Sequence, residues 1–319
     1  MKTPLQQAKE LHEEFKKTND VEAMLRLTDF MAEYTGDDQM IPSSDLLEEI
    51  KALESEPRYM SGIKKLDEIT DGFRGNQIIV LSAPPKSGKT QLCVHMARSL
   101  PNPTMFLFEE SAPEVLYKYH KKGLELPKFF TMKQSEGMDV ESLYRKMIEA
   151  WAKYNSKIFF IDHLHFILDG NGANKGDQIE KAIKELKRFC KRHNFTIFLV
   201  AHMTKGNFSE PPGVEAIRDS AHIPALADTV IIMWRETFKS GAKDHGNLIT
   251  QTKNLLLNVA LNRKINFTTD NNTGLVDLTF NTDTWAYEES DWYTEWLEEE
   301  KGDEDKADNI IKKLYGNDN

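Results

Sequence analysis

The chain has 319 residues, a formal net charge of −10 and two cysteines, Cys93 and Cys190. No apolar run approaches the ~18 residues of a membrane span, and two isolated cysteines make neither a disulfide framework nor a metal cluster. A membrane protein and a disulfide-stapled scaffold are thereby excluded, and a reducing, cytoplasmic setting is expected. The N-terminal stretch MKTPLQQAKELHEEF also lacks the apolar centre of a signal peptide. Acidity is concentrated at one end: residues 288–319 hold 12 Asp and Glu against 4 Lys and Arg. The rest is near neutral, so the net charge does not argue against nucleic-acid binding.

Residues 1–35 read as two short helices, with Leu5, Ala8, Leu11 and Phe15 at helical spacing and Asn19-Asp20 as a cap between them. Too small to be stable alone, they are expected to pack on the main domain or on another subunit. Residues 36–60 read as a linker with one helix, capped by Ser43 or Ser44. Its narrow apolar face of Leu46, Leu47, Ile50 and Leu53 needs a groove, in a neighbouring subunit or in its own domain. From Gly62 strands and helices alternate. Strands are expected at 78–82, 104–108, 129–132, 157–161, 196–200 and 228–234. Helices are expected at 91–100, from about 113, at 139–153 and at 178–194. The fold class is therefore α/β, with a mostly parallel sheet covered on both faces. Strands at about 253–261 and 275–280 flank a turn-rich segment and read as a hairpin at the sheet edge. The domain is drawn over 61–287. Residues 288–319 follow as an acidic, solvated tail with Trp292 and Trp296 on one helical face.

The chemistry centres on IIVLSAPPKSGKT, residues 78–90. A buried strand, a tight turn and a helix opening at Lys89-Thr90 are the context of a phosphate-binding P-loop. Ser82, Ala83, Pro84, Pro85, Lys86, Ser87 and Gly88 are expected to form the turn, whose N–H groups, with the helix dipole, favour an anion. In a P-loop Lys89 would reach the β- and γ-phosphates, and the Thr90 hydroxyl would hold Mg²⁺. Ala83 stands where the pattern has its first glycine. Asp162 closes an apolar strand and reads as a second Mg²⁺ ligand. Glu109, after Met105–Phe108, is placed to activate water, with Glu110 as its rival; either could instead cap the next helix. His202 follows another apolar strand and is placed to respond to the γ-phosphate. Two long loops, 168–177 and 204–224, carry Lys175, Lys205 and Arg218 as phosphate-backbone contacts, or are plain surface loops. Arg263 ends an apolar run and would suit an arginine delivered into a neighbouring subunit's site.

Taken together in order, these motifs resemble the ATPase domain of DnaB-type hexameric replicative DNA helicases, in a phage-like variant. The resemblance runs from about Ser61 to Tyr287. It covers Ser61-Gly62 with Asp71-Gly72, the P-loop, Phe108-Glu109-Glu110-Ser111, Ile161-Asp162-His163-Leu164, Ala201-His202-Met203 and Ile217-Arg218-Asp219-Ser220. It continues through Ala227-Asp228, Trp234-Arg235-Glu236, Leu261-Asn262-Arg263-Lys264 and Gly274–Phe280. It implies a RecA-like P-loop NTPase that uses ATP and Mg²⁺ and translocates on single-stranded DNA as a homo-oligomeric ring, a hexamer. It makes Lys89, Thr90, Asp162 and Glu109 the hydrolytic set, couples His202 to the DNA loop, and places Arg218, Asp219 and the backbone near Ala221 on the strand, with Arg263 acting in trans. The family's Lys-x-Arg at the finger is not intact: one register puts Leu261 at the Lys position, the other Asn266 at the Arg position. The acidic tail suits a primase, loader or polymerase partner, or simple solubility. A RecA-family recombination or repair ATPase and a nucleotide-switched scaffold are the alternative readings.

Overall fold

Strand β1, Gln77–Ala83, is buried along its whole length. Ile78 and Val80 join one apolar core, while Ile79 and Leu81 join a second on the opposite face. That is why this strand reads as a continuous apolar run and not as an alternating one. The computed structural model describes residues 4–18, 20–34, 43–133, 138–164, 175–204, 210–217, 223–240, 248–263, 274–293 and 295. Before β1 come α1 (Pro4–Thr18), α2 (Val21–Tyr34), a 3₁₀ turn (Ser43–Leu46) leading into α3 (Leu47–Glu54), and α4 (Lys64–Thr70). After it come α5 (Lys89–Ala97), β2 (Thr104–Leu107), α6 (Ala112–Lys121), β3 (Phe130–Thr131), α7 (Val140–Tyr154), β4 (Ile158–Asp162), α8 (Lys175–His193) and β5 (Thr196–His202). The chain then passes through α9 (Ile223–Leu226) to β6 (Thr229–Ser240), β7 (Leu248–Asn262), β8 (Leu275–Asn281) and β9 (Ala286–Glu289).

These strands form one sheet in the order β3-β2-β4-β5-β1-β6-β7-β8-β9. The pairs from β3 across to β6 are parallel, and those from β6 to β9 are antiparallel. The α/β, mostly parallel architecture expected from the sequence is what the chain adopts. Local signals explain the helix ends. Ser111 and Glu114 form a capping box on α6, and Asp139 accepts from the Ser142 N–H to start α7. Asp228 ties two strand starts together: its Oδ2 accepts from the Ile78 N–H at 2.8 Å and pairs with Lys187 of α8. Among the described residues, no helix is long and apolar enough to cross a membrane.

The helical hairpin α1–α2 packs on the main domain. Phe15, Ala23, Met24 and Leu27 are buried in the core that contains Leu143 and Met147 of α7. Asp20 caps α2 by accepting from the Glu22 N–H at 3.0 Å. Glu22 reaches Arg145 at 2.5 Å, and Asp29 reaches Arg192 at 3.0 Å. Helix α3 buries none of its residues.

Four expectations need correcting. Lys175, expected in a loop, is the first residue of α8, because Gly176 and Asp177 continue into the strong apolar periodicity of Ile179, Ile183 and Leu186. The strand expected at 228–234 runs on to Ser240, since its largely polar outer part is held by antiparallel pairing with β7. β9 crosses the expected boundary at 287/288 and pairs with β8. Trp292 is no solvated tail residue: its Nε1 donates to the Leu255 carbonyl at 3.1 Å, and its ring lies 6.0 Å from that of Trp234. Lys205, Arg218, Asp219, Ala221 and Trp296 lie outside the described residues.

Candidate functional site

The P-loop is built as the sequence requires. β1 ends at Ala83, the turn occupies 84–88, and α5 opens at Lys89. Ala83 is the last residue of an extended strand, a backbone conformation that any residue adopts, so no glycine is needed there. Gly88 is different. Its φ is +92°, and a Cβ on it would sit 2.9 Å from the Tyr287 hydroxyl. The Lys89 ammonium is buried and donates to the carbonyls of Ala83 and Pro84 at 3.5 and 3.4 Å. Burial lowers its pKa, and the nearby carboxylates of Asp162 and Glu109 oppose that shift.

Parallel pairing brings the other groups to the same end of the sheet, where α/β folds bind ligands. Ala83 and His202 are register partners in β1 and β5. The Thr90 hydroxyl donates to Asp162 Oδ2. The second carboxylate oxygen, Asp162 Oδ1, is buried and has no hydrogen-bond partner. Burial first, then the neighbouring acids, pushes the Asp162 carboxyl up to about 6, against the pull of Thr90 and Lys89. An orphaned, desolvated carboxylate beside a threonine hydroxyl is an oxygen donor set that fits Mg²⁺.

Glu109 lies just beyond β2, held by the Phe108 N–H bond to the Asp162 carbonyl at 2.8 Å. Its carboxylate is about half exposed, and Oε2 lies 3.5 Å from Nδ1 of His163. The His163 ring meets the His202 ring edge-on, centroids 3.9 Å apart. Glu110 turns away to Lys118. Ser111 caps α6, so neither glutamate does. Of the expected set, Lys89, Thr90, Asp162, Glu109 and His202 therefore converge. Arg263 does not join them: it is exposed, and its guanidinium donates to the carbonyls of Pro224 and Ala225 at 3.3 and 2.8 Å.

Sequence reasoning passed over three groups. His163 lies in the Ile161–Leu164 motif, which by itself assigns it no role. Arg235 and Tyr287 flank Gly88, the Arg235 guanidinium donating to the Tyr287 hydroxyl at 3.1 Å. Tyr287 also donates its N–H to Nδ1 of His95 at 3.2 Å. Burial lowers the His95 pKa to about 4, which keeps the imidazole neutral and able to accept. The sequence signal for this pair was an aromatic and an arginine at strand positions facing the P-loop helix, legible only once the strand order is known.

The family model for the DnaB-like helicase C terminal domain matches residues 107–289, more than half of the chain. The chain belongs to this DnaB-like family. The P-loop precedes the matched stretch, so its assignment rests on the strand-turn-helix geometry. A probable replicative DNA helicase of Trieres chinensis is 20% identical over 254 residues, 67% of this chain and 56% of that protein. The chain spans about half the length of the curated relatives it matches. Among solved structures, one ATPase domain aligns with a TM-score of 0.63 at 14% identity, covering 79% of this chain and 99% of that one. A DnaB-like replicative helicase, studied with its interactions with primase, aligns with the same TM-score and identity over 89% of this chain and 75% of its own. At that identity the two structures establish the shared fold.

Proposed function

We propose that this DnaB-like chain is an ATP-dependent replicative DNA helicase that translocates on single-stranded DNA as a ring, a hexamer. The observation that carries the reading is the meeting of Lys89, Thr90, Asp162, Glu109 and His202 at adjoining strand ends. The P-loop N–H groups and Lys89 bind the ATP phosphates, Lys89 exchanging its two loop carbonyls for phosphate oxygens. Thr90 and Asp162 hold Mg²⁺, which supplies charge neutralisation at the β- and γ-phosphates. Glu109 orients the attacking water and accepts its proton. His202, paired in register with the first P-loop residue, passes the loss of the γ-phosphate toward the segment that follows β5.

In this reading Lys175, Lys205, Arg218, Asp219 and the Ala221 backbone contact the DNA. Arg263 exchanges its intrachain carbonyls for a phosphate oxygen of the neighbouring subunit's site. The exposed face of α3 joins subunits, and the acidic tail meets a primase, loader or polymerase. The reading places the chain in a reducing cytoplasm, bacterial or phage-infected; Cys93 and Cys190 are both buried.

The test is steady-state ATP hydrolysis with and without single-stranded DNA, in wild type and Lys89→Ala. Stimulation by DNA and loss of about a hundredfold or more in the variant are expected. Hydrolysis that DNA leaves unchanged would instead favour the scaffold reading.

A further inference from the structure

We propose that Glu109, His163 and His202 form a second metal site beside the nucleotide, one that takes a zinc-class transition ion. β2, β4 and β5 are consecutive neighbours in the sheet. Glu109 follows β2, His163 follows β4, and His202 ends β5. Their separations are therefore fixed by the ladder, together with the Phe108-to-Asp162 backbone bond. One donor atom from each residue lies within 4.8 Å of the other two. Among the described residues, no other group of His, Cys, Asp and Glu meets this spacing.

Donor chemistry separates the two sites. Thr90 and Asp162 offer oxygens, which suit a hard cation such as Mg²⁺. Two imidazoles and one carboxylate suit zinc and its neighbours, and Mg²⁺ competes poorly for imidazole nitrogen. Metal–ligand bonds of about 2.0–2.2 Å in a tetrahedral site need donors about 3.4 Å apart; the Glu109–His163 pair already stands at 3.5 Å, and the other separations, within 4.8 Å, need only a small closure. The arrangement allows it. His163 is 8% exposed and His202 is partly buried, with ring centroids 3.9 Å apart, so the two imidazoles line the protein side of the site. The Glu109 carboxylate, at 56% side-chain exposure, is the member with room to swing in. The remaining coordination position is left for water.

Metal binding at this cluster goes beyond the helicase reading and does not depend on it. Its consequence does rest on that reading: an ion held here takes the Glu109 carboxylate away from water and fixes the His202 ring. Zinc would then block hydrolysis without displacing the nucleotide.

The test uses the untagged full chain and Co²⁺ as the probe, with Mg²⁺ present in excess. One Co²⁺ per chain, with visible d–d absorption that Zn²⁺ abolishes, is expected. His163→Phe and Glu109→Gln should each weaken Co²⁺ binding by about tenfold or more. Absence of these bands, or equal affinity in wild type and both variants, overturns the proposal. Should a variant fail to fold, anomalous diffraction from Zn²⁺-soaked wild-type crystals decides: a peak among the three side chains supports the site, and peaks only elsewhere sink it. Zinc inhibition of ATP hydrolysis is read separately. A chain that binds cobalt here, yet hydrolyses no ATP with Mg²⁺ alone and no transition ion present, would condemn the helicase reading and leave the metal site standing.

Discussion

Helix α2 buries Ala23, Met24 and Leu27 against α7, whereas α3, with an apolar face of its own, leaves Leu47, Ile50 and Leu53 at 50–59% exposure. The two look alike as amphipathic segments. What separates them is support. α2 is doubled by α1, capped by Asp20 and tied by Glu22 and Asp29 to arginines of α7 and α8. α3 has two turns, a lysine–glutamate pair within itself and no buried residue. A helix that short is marginal in water, so its stability must come from whatever covers its apolar face. An amphipathic pattern thus announces that a partner is required, and the companions of the helix decide whether that partner is the same chain.

The largest expected effect breaks the contrast at α3. If the proposed ring is joined through α3, Ile50→Asp combined with Leu53→Asp should leave monomers in sedimentation velocity without lowering the unfolding midpoint of the isolated chain. A lower midpoint with assembly intact would mean that α3 serves its own domain. Next comes the docked side. Leu27→Ala removes a buried side chain and should cost about 2–4 kcal/mol in urea unfolding, with no change in assembly. The smallest effect sharpens why α2 stays docked. Glu22 and Arg145 are both about half exposed, so Glu22→Gln should cost under about 0.5 kcal/mol in the same unfolding experiment. A larger loss would shift the credit for docking from apolar burial to charge.

Much of the site was legible because its signals are local. A P-loop occupies eight consecutive residues, and an apolar strand ending in Asp or His marks its own carboxyl end. Asp162, Glu109 and His202 could each be read that way, and the parallel order then brought them together. His163 was harder. It follows Asp162 directly, and only the closeness of β2 and β5 turns it toward Glu109 and His202. Arg235 and Tyr287 are 52 residues apart, and no spacing rule links them. The extent of β6 was also hidden. Its outer half, Arg235 to Ser240, is largely polar, and it is a strand because β7 supplies the ladder. Arg263 shows the opposite limit: its residue type invited a role between subunits, while its described contacts, with Pro224 and Ala225, lie within its own chain.

The closing strand β9 has a mechanical consequence. Through Tyr287 it grips α5 at His95, contacts Arg235, and stands against Gly88 at the mouth of the phosphate-binding turn. Beyond it, Trp292 is bolted to the Leu255 carbonyl. A pull on the C-terminal segment would meet buried Tyr293 and its neighbour Trp292 first, and Tyr287 only after them. Between the C-terminal end of the described chain and the phosphate-binding turn stand successive anchors, so a load would have to release Tyr293 and Trp292 before it reached the turn.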